Sequence, residues 1–584
     1  MKKNSPSSLV RLAKMMKPYR KYLYFVFFCV LVSNLGVLVK PYLVKIIIDD
    51  FLTKGLPQHG VYSITGLGIS YFLVVLLSAG FTMAQRRTLA RFGQGILHKL
   101  RSDVMDHILH MPIATLDRYG SGRLITRSTN DVETLDEFYS DILVTLFQDV
   151  LLLISLVFMM IQMDWQLALV AFVGIPLIAL ITVLIRNVLE RNFKRMKTII
   201  GRINGFFAEN IAGMRIIQVF NRQKNKLEEF QDLNDSYLKT TMIQIKLHSV
   251  LRPAMEVVNS MIIALLIWFG YNRIVGNFGG SAVLELGVLY AFTDYVKQFF
   301  EPINELAETY TTIQSALVSA DRIFALLDEK NQEDPFEGDW DKPIVGKVEF
   351  RDVWFAYDED NWILKGVSFT VEPGEKVAFV GSTGAGKTTI INLIGRYYIP
   401  QKGTILIDGI PLERWKLKNL RSGISVVLQD VFLFVGSIAD NISIHSNLDE
   451  AQIRKALDIS CASEFVEECG GLKSEVSEAG MNFSTGQRQL LSFARAIARD
   501  PAILVLDEAT AHIDTETEQM IQTSIAEISK DRTSIFIAHR LSTIQSCDCI
   551  FVLEKGQIIE QGNHLSLMEQ NGKYAALVRS GQKE

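Results

Sequence analysis

Apolar runs long enough to cross a bilayer, where roughly 20 residues suffice for a helix, occur only in the first half of this 584-residue chain. They predict spans near 22–48, 61–85, 140–163, 165–185, 254–274 and 282–301. The second and fourth carry no charge. The first contains Lys40 and Lys45, the third Asp141 and Asp149, and the sixth Glu285, Asp294 and Lys297, so these three are expected to lean on neighbouring helices. With 48% apolar and 21% charged residues, the composition suits a chain partly in lipid and partly in water.

Positive charge sets the expected orientation, because Lys and Arg are retained on the cytoplasmic side. Segment 86–139 holds eight and 186–250 twelve, against one each in 49–60 and 271–284. The amino terminus, both long loops and everything after the sixth crossing are therefore expected in the cytoplasm, in a multi-pass protein of the cell membrane. The basic opening, with Lys2, Lys3, Arg11 and Lys14, reads as a cytoplasmic lead-in rather than a cleaved signal. Leu100, Val104 and Ile108 recur at helical spacing in the first loop, and Gly120-Ser121-Gly122 breaks that helix. Residues 1–306 are read as a membrane domain and 307–345 as a linker, helical over 311–327. Residues 346–584, where short apolar strands alternate with amphipathic helices, are read as an α/β domain. The net charge of −4 selects no partner, and no nucleic acid is expected. The five cysteines lack metal-ligand spacing, and Cys547 and Cys549 read as free thiols.

Gly381-Ser382-Thr383-Gly384-Ala385-Gly386-Lys387-Thr388 matches the phosphate-loop pattern in full, between a strand-like 376–380 and a helix that opens at Thr389. Its glycines let backbone N–H groups approach phosphates at a helix N-terminus, Lys387 can reach the β and γ phosphates, and the Thr388 hydroxyl can ligate Mg2+. Downstream, Ala502-Ile503-Leu504-Val505-Leu506-Asp507-Glu508 delivers two carboxylates at the end of a buried-type strand, where open α/β sheets place ligands. Asp507 would organise Mg2+, and Glu508 would polarise the attacking water.

Between these elements lies Phe483-Ser484-Thr485-Gly486-Gln487, which is similar to the LSGGQ signature of ATP-binding-cassette transporters. The resemblance implies further roles. Tyr357 sits where the family stacks an aromatic on adenine, and Gln429 where a glutamine senses the metal and the membrane domain. Asp514 ends the D-loop, and His539 stands at the switch histidine that contacts the γ phosphate. Ser484, Gly486 and Gln487 would be offered to ATP across a dimer interface. Segments 123–132 and 213–220 resemble the two cytoplasmic loops of the exporter branch, with coupling helices expected near 111–118 and 211–220. The implied fold is an all-α six-helix membrane domain of the type IV exporter kind, followed by an α/β ATPase domain with a RecA-like core and a helical subdomain.

Two departures stand out. Phe483 replaces the family's usual leucine, and Thr485 replaces a glycine where a β-branched side chain obstructs close backbone approach. The D-loop 511–514 also differs from the family's usual form. Because Lys387, Asp507, Glu508 and His539 are complete, the expectation is a heterodimer with a second half-transporter and unequal ATP sites. That assembly would export small hydrophobic or amphiphilic compounds. A homodimeric lipid flippase and an ATP-gated channel or regulatory subunit stand as alternatives. Asp149, Glu256 and Asp294 could line the path or only bond between helices. An aromatic cavity of Phe292, Tyr295, Phe299 and Phe300 beside Asp294 is conceivable, and so is a packed core.

Overall fold

The computed structural model describes residues 7–55, 60, 62–275, 284–329, 336, 338–358, 361–444, 446–507, 515–537 and 541–581. The chain divides into two compact units, Met1–His107 with Gly122–Glu329, and Ile108–Ser121 with Lys330–Glu584.

The first unit is built of long helices, because backbone N–H and C=O groups in lipid must bond within their own segment. The principal ones are Arg20–Ile46, Ile64–Leu109, Leu143–Met163, Gly174–Ala212, Gln223–Ile274 and Leu286–Leu327. Among the described residues, four stretches are long and apolar enough to cross a membrane: Ser8–Thr53, Ile64–Leu109, Ser121–Met163 and Pro253–Ile274. In the expected fourth span the helix Trp165–Phe172 is followed by Gly174–Ala212, and Trp165–Leu177 is apolar, the side chains of 178–187 lying outside the described residues. Its first helix, Trp165–Phe172, is capped by the Asp164 carboxylate, which accepts from the backbone of Gln166 and Leu167. The helix of the expected sixth span starts at Leu286 and carries Asp294, Lys297 and Glu301. That helix continues to Leu327, so the stretch expected as a linker begins within it.

Polar side chains inside this unit find each other. Ser33 and Thr82 hydroxyls lie 3.0 Å apart, Gln85 donates to the Gln148 side chain at 3.0 Å, and the Tyr295 hydroxyl donates to the Leu38 carbonyl at 2.7 Å. Phe292, Tyr295, Phe299 and Phe300 are buried against Leu38, Leu156 and Leu266, so the aromatic run beside Asp294 is packed core and not a cavity. Asp149 is buried, Asp294 is partly buried and Glu256 is exposed.

The second unit contains β1 (Val348–Ala356), β2 (Trp362–Val371), β3 (Lys376–Gly381), β4 (Lys402–Ile407), β5 (Ile410–Pro411) and β6 (Ile424–Val427). It continues with β7 (Gly436–Ser437), β8 (Glu475–Val476), β9 (Ile503–Asp507), β10 (Thr533–Ile537), β11 (Cys549–Glu554) and β12 (Gln557–Gly562). A six-stranded sheet in the order β12-β11-β3-β10-β9-β6 is parallel except for β12. A four-stranded antiparallel sheet, β2-β1-β4-β5, shares a hydrophobic core with one of its faces. Side-chain alternation along β3 explains the layering, since Val377 and Phe379 enter that core while Ala378 and Val380 enter the helical core on the other face. Every residue of β9 and β10 is buried, as a parallel strand covered on both faces requires.

The β1–β4 pairing slips beside Gly403, which adopts φ +83°. A methyl group there would lie 2.1 Å from the Asp352 carbonyl oxygen, a backbone atom that cannot swing away. Gly403→Ala is therefore expected to destabilise the second unit by more than about 1 kcal/mol, read as a lower midpoint for its thermal transition in the full chain. An unchanged midpoint would contradict this reading of the bulge.

Candidate active site

The chain leaves β3 through a turn that only glycine makes cheaply. Gly381, Gly384 and Gly386 have φ values of +155°, +81° and +105°. A Cβ on Gly381 would come within 2.3 Å of the Leu553 carbonyl oxygen, and one on Gly386 within 2.6 Å of Leu364 Cδ2. At Gly384 the surrounding space is open, so it is the backbone conformation that demands glycine. Ala385 points into the core, whereas Ser382, Thr383 and Gly384 are exposed. The helix Lys387–Ile394 begins directly after this loop.

Lys387 is only 7% exposed, and its ammonium donates to the carbonyls of Gly381 at 2.7 Å and Ser382 at 3.1 Å. Loop and lysine therefore brace each other. Thr388 is exposed and Thr389 is buried. The result is a glycine cradle at a helix N-terminus with a cation at its base, which suits the phosphates of a nucleotide.

Parallel register brings the other expected groups to the same edge of the sheet. Ile537 at the end of β10 pairs with both Phe379 and Asp507, and Val427 at the end of β6 pairs with Leu506. Asp507 thus lies two strands from the phosphate-loop strand, about 10 Å away from the usual spacing, with Gln429 exposed just beyond β6. Thr388, Asp507 and Gln429 offer hydroxyl, carboxylate and amide oxygens, a donor set that suits Mg2+. Glu508, which follows Asp507 in the chain, lies outside the described residues, as do Asp514 and His539.

Tyr357 is half exposed. Its hydroxyl accepts from Asn392 Nδ2 at 3.1 Å and lies 3.3 Å from Thr389 Oγ1. The ring stands edge-on to Phe355 and to Tyr398, with centroids 4.9 and 5.0 Å away. Tyr398 in turn donates to the Asp117 carboxylate at 2.6 Å. Burial first, and then the Asp117 bond and charge, hold the Tyr398 hydroxyl above tyrosine's usual range, so it remains a donor. Asp117 belongs to the short helix Ile113–Tyr119 within the expected first coupling segment. Sequence reading did not single out Tyr398. Two residues 281 apart form the contact, and no local pattern announces it.

The signature-like segment forms the start of a helix. Ser484 caps Thr485–Ile497: its hydroxyl accepts from the Gln487 backbone at 3.2 Å, and the Gln487 side chain accepts from the Ser484 backbone at 2.9 Å. Gly486 is buried in the first turn. Phe483 is 5% exposed and packs edge-on against Phe465, so its ring fills the core. Thr485 is exposed, with its hydroxyl accepting from Arg488 at 3.2 Å, and it stands in the first helical turn. Among the described residues, no hydrogen bond joins this segment to the phosphate loop. In the second expected coupling segment the helix is Met214–Val219, and Ile211, Ile216, Val219 and Phe220 there are all exposed.

Residues 23–303 match the ABC transporter transmembrane region family, and residues 364–511 match the ABC transporter family. A Bacillus subtilis chain named "Probable multidrug resistance ABC transporter ATP-binding/permease protein YheH" is 39% identical, over 87% of this chain and 76% of that one. An ATP-dependent lipid A-core flippase of Aromatoleum aromaticum is 34% identical, over 84% and 81% of the two chains. The solved structure of a bacterial Atm1-family ABC exporter with ATP bound superposes with a TM-score of 0.76 at 25% identity, covering 96% of this chain and 98% of that one.

Two substitutions separate binding from transmission. Gly386→Ala is expected to weaken ATP binding at least tenfold, about 1.4 kcal/mol, in an equilibrium titration with labelled nucleotide. If 111–118 couples the domains as expected, Tyr398→Phe, which deletes only the hydrogen bond to Asp117, is expected to lower transport severalfold while ATP affinity stays within about twofold, with roughly 1 kcal/mol lost from that contact. Equal loss of affinity and transport in the second variant would contradict the separation.

Proposed function

Because the chain belongs to the ABC transporter family, as a half-transporter of the bacterial exporter type, we propose that it exports hydrophobic or amphiphilic compounds as one subunit of a heterodimer. As a family member it is a multi-pass membrane protein that binds ATP, couples ATP hydrolysis to transport and acts as a dimer. The single observation that carries the finer reading is a phosphate-binding cradle complete in every residue, in a chain whose signature segment holds Thr485 in place of glycine.

In this reading 1–306 form a six-span membrane domain, 307–345 connect it to the ATPase domain, and 346–584 form that domain in the cytoplasm. The phosphates lie on the backbone N–H groups from Gly381 to Gly386, with Lys387 at the β and γ positions and Tyr357 against the adenine. Thr388, Asp507 and Gln429 hold Mg2+, which supplies positive charge to the phosphate oxygens when bound. Glu508 orients and polarises the attacking water, and His539 reads the γ phosphate. Ser484, Gly486 and Gln487 are presented to the partner's nucleotide. The exposed apolar residues Ile211, Ile216, Val219 and Phe220 provide a surface for a second chain.

A homodimeric flippase is the second reading, and one observation favours it. Phe483 is absorbed by the core, and Thr485 takes an ordinary helical backbone, so neither departure distorts the helix start. The two readings differ in what this chain does alone. Purified as the sole cassette component, it is expected to show little ATPase and no drug transport, whereas robust activity of both as a homodimer would select the flippase. Within the assembled transporter, Glu508→Gln is expected to lower hydrolysis by about 10²–10³ with ATP binding nearly intact. Near-normal turnover in that variant would remove Glu508 from its assigned role.

A further inference from the structure

Between β6 and β7, residues 428–435 pair with no strand among the described residues. Val431 and Leu433 pack in the helical core, while Leu428, Gln429, Phe432, Phe434 and Val435 are exposed. Burial therefore anchors this segment at two side chains, and its backbone polar groups need other partners. Asn441, buried in the helix Ile438–Ser443, supplies the first. It accepts from the Phe434 N–H at 2.8 Å and donates to the Phe434 carbonyl at 2.7 Å, the two bonds a neighbouring strand would make.

Arg495 supplies the second. It donates from Nη1 to the Phe432 carbonyl at 2.9 Å, from Nε to the Asn441 carbonyl at 2.8 Å and from Nη2 to Asn441 Oδ1 at 3.2 Å. The guanidinium fork thus holds the segment directly at Phe432 and, through Asn441, at Phe434. The single nitrogen of a lysine could not span these separated acceptors. Arg495 lies near the end of the helix Thr485–Ile497, ten residues or about 15 Å of helix beyond Thr485. One helix therefore presents the signature-like segment at its start and grips the chain near its end, three residues past Gln429.

Resting on the reading of Gln429 as a ligand of the nucleotide's Mg2+, we infer that Arg495 is a positioning residue: with Asn441 it sets the backbone of 432–434 and so fixes where Gln429 stands. Arg495 acts through this loop and not on the nucleotide. Its loss is therefore felt in the metal's contribution to binding, as the loss of a group that orients a metal ligand generally is.

The test uses the assembled transporter and a non-hydrolysable ATP analogue, so that binding is read without turnover, with Mg2+ varied and with EDTA. Arg495→Gln is expected to raise the Mg2+ concentration for half-maximal binding by about tenfold, while affinity in EDTA stays within about twofold of the parent. Asn441→Ala should act in the same direction, and the double variant should add little to the larger single effect, because both residues work through one loop. Arg495→Lys keeps the charge and one carbonyl bond, so a rise of roughly threefold is expected, and this variant carries the test alone if the others fail to fold. Without nucleotide or metal, the Phe434 amide should exchange its hydrogen about tenfold faster in Arg495→Gln. Gln429→Ala in the same assay is expected to raise the Mg2+ requirement at least as far, and an unchanged requirement there would strike the reading on which the inference rests. If Gln429→Ala raises it and the Arg495 variants do not, or if they lose affinity equally with Mg2+ and with EDTA, the inference is overturned while the metal role of Gln429 stands. Unchanged exchange at Phe434 would overturn it as well.

Discussion

The two hydrogen bonds from Lys387 to the carbonyls of Gly381 and Ser382 hold the centre of the ATPase unit together. They close a loop whose glycines adopt backbone conformations other residues resist, and they bury a cation that would be expensive without acceptors. The loop can be so tight because β3 cannot move. It lies between β10 and β11 in a parallel sheet, with hydrophobic cores on both faces. From that fixed strand, register alone carries Asp507 and Gln429 to the edge where the loop opens.

The membrane unit obeys a different solvent. Its helices satisfy their backbones internally, so the remaining problem is the polar side chain, which here is met by short contacts between helices, such as Gln85 with Gln148 and Tyr295 with the Leu38 carbonyl. The chain thus keeps two kinds of order. Tight backbone geometry shapes the phosphate loop, while in the membrane unit some polar side chains pair between helices and others, such as Asn34 Oδ1 and Gln298 Oε1, stay buried without a partner. The link from Asp117 through Tyr398 to Tyr357 brings the segment expected to couple the domains next to the residue expected to stack on adenine.

What could be read from the sequence follows from how far apart the cooperating residues are. The phosphate loop is contiguous, and its strand, turn and helix stand in the structure where the motif predicts them. Asp507 ends the buried strand as expected, but the carboxylate pair pointed to nucleotide chemistry only through the phosphate loop upstream. The Tyr398–Asp117 contact was not legible, since it depends on tertiary packing. The consequence of Phe483 was also hidden: the sequence shows only that it replaces a leucine, and the structure turns its ring inward to Phe465. The expected sixth span, 282–301, carries Asp294 and Lys297 and is helical from Leu286 onward. The aromatic run beside Asp294 offered either a cavity or a core, and only packing could decide for the core.

The central claim is that nucleotide chemistry at the cradle drives movement of a compound across the membrane against its gradient. The most direct measurement is accumulation of a labelled amphiphile inside inverted vesicles that contain the assembled transporter, with ATP or with a non-hydrolysable analogue. Uptake that rises above the external concentration with ATP, and stays at background with the analogue, is the predicted result. Flux that merely equalises the two concentrations, to the same extent with either nucleotide, would show a gated pathway and contradict the account.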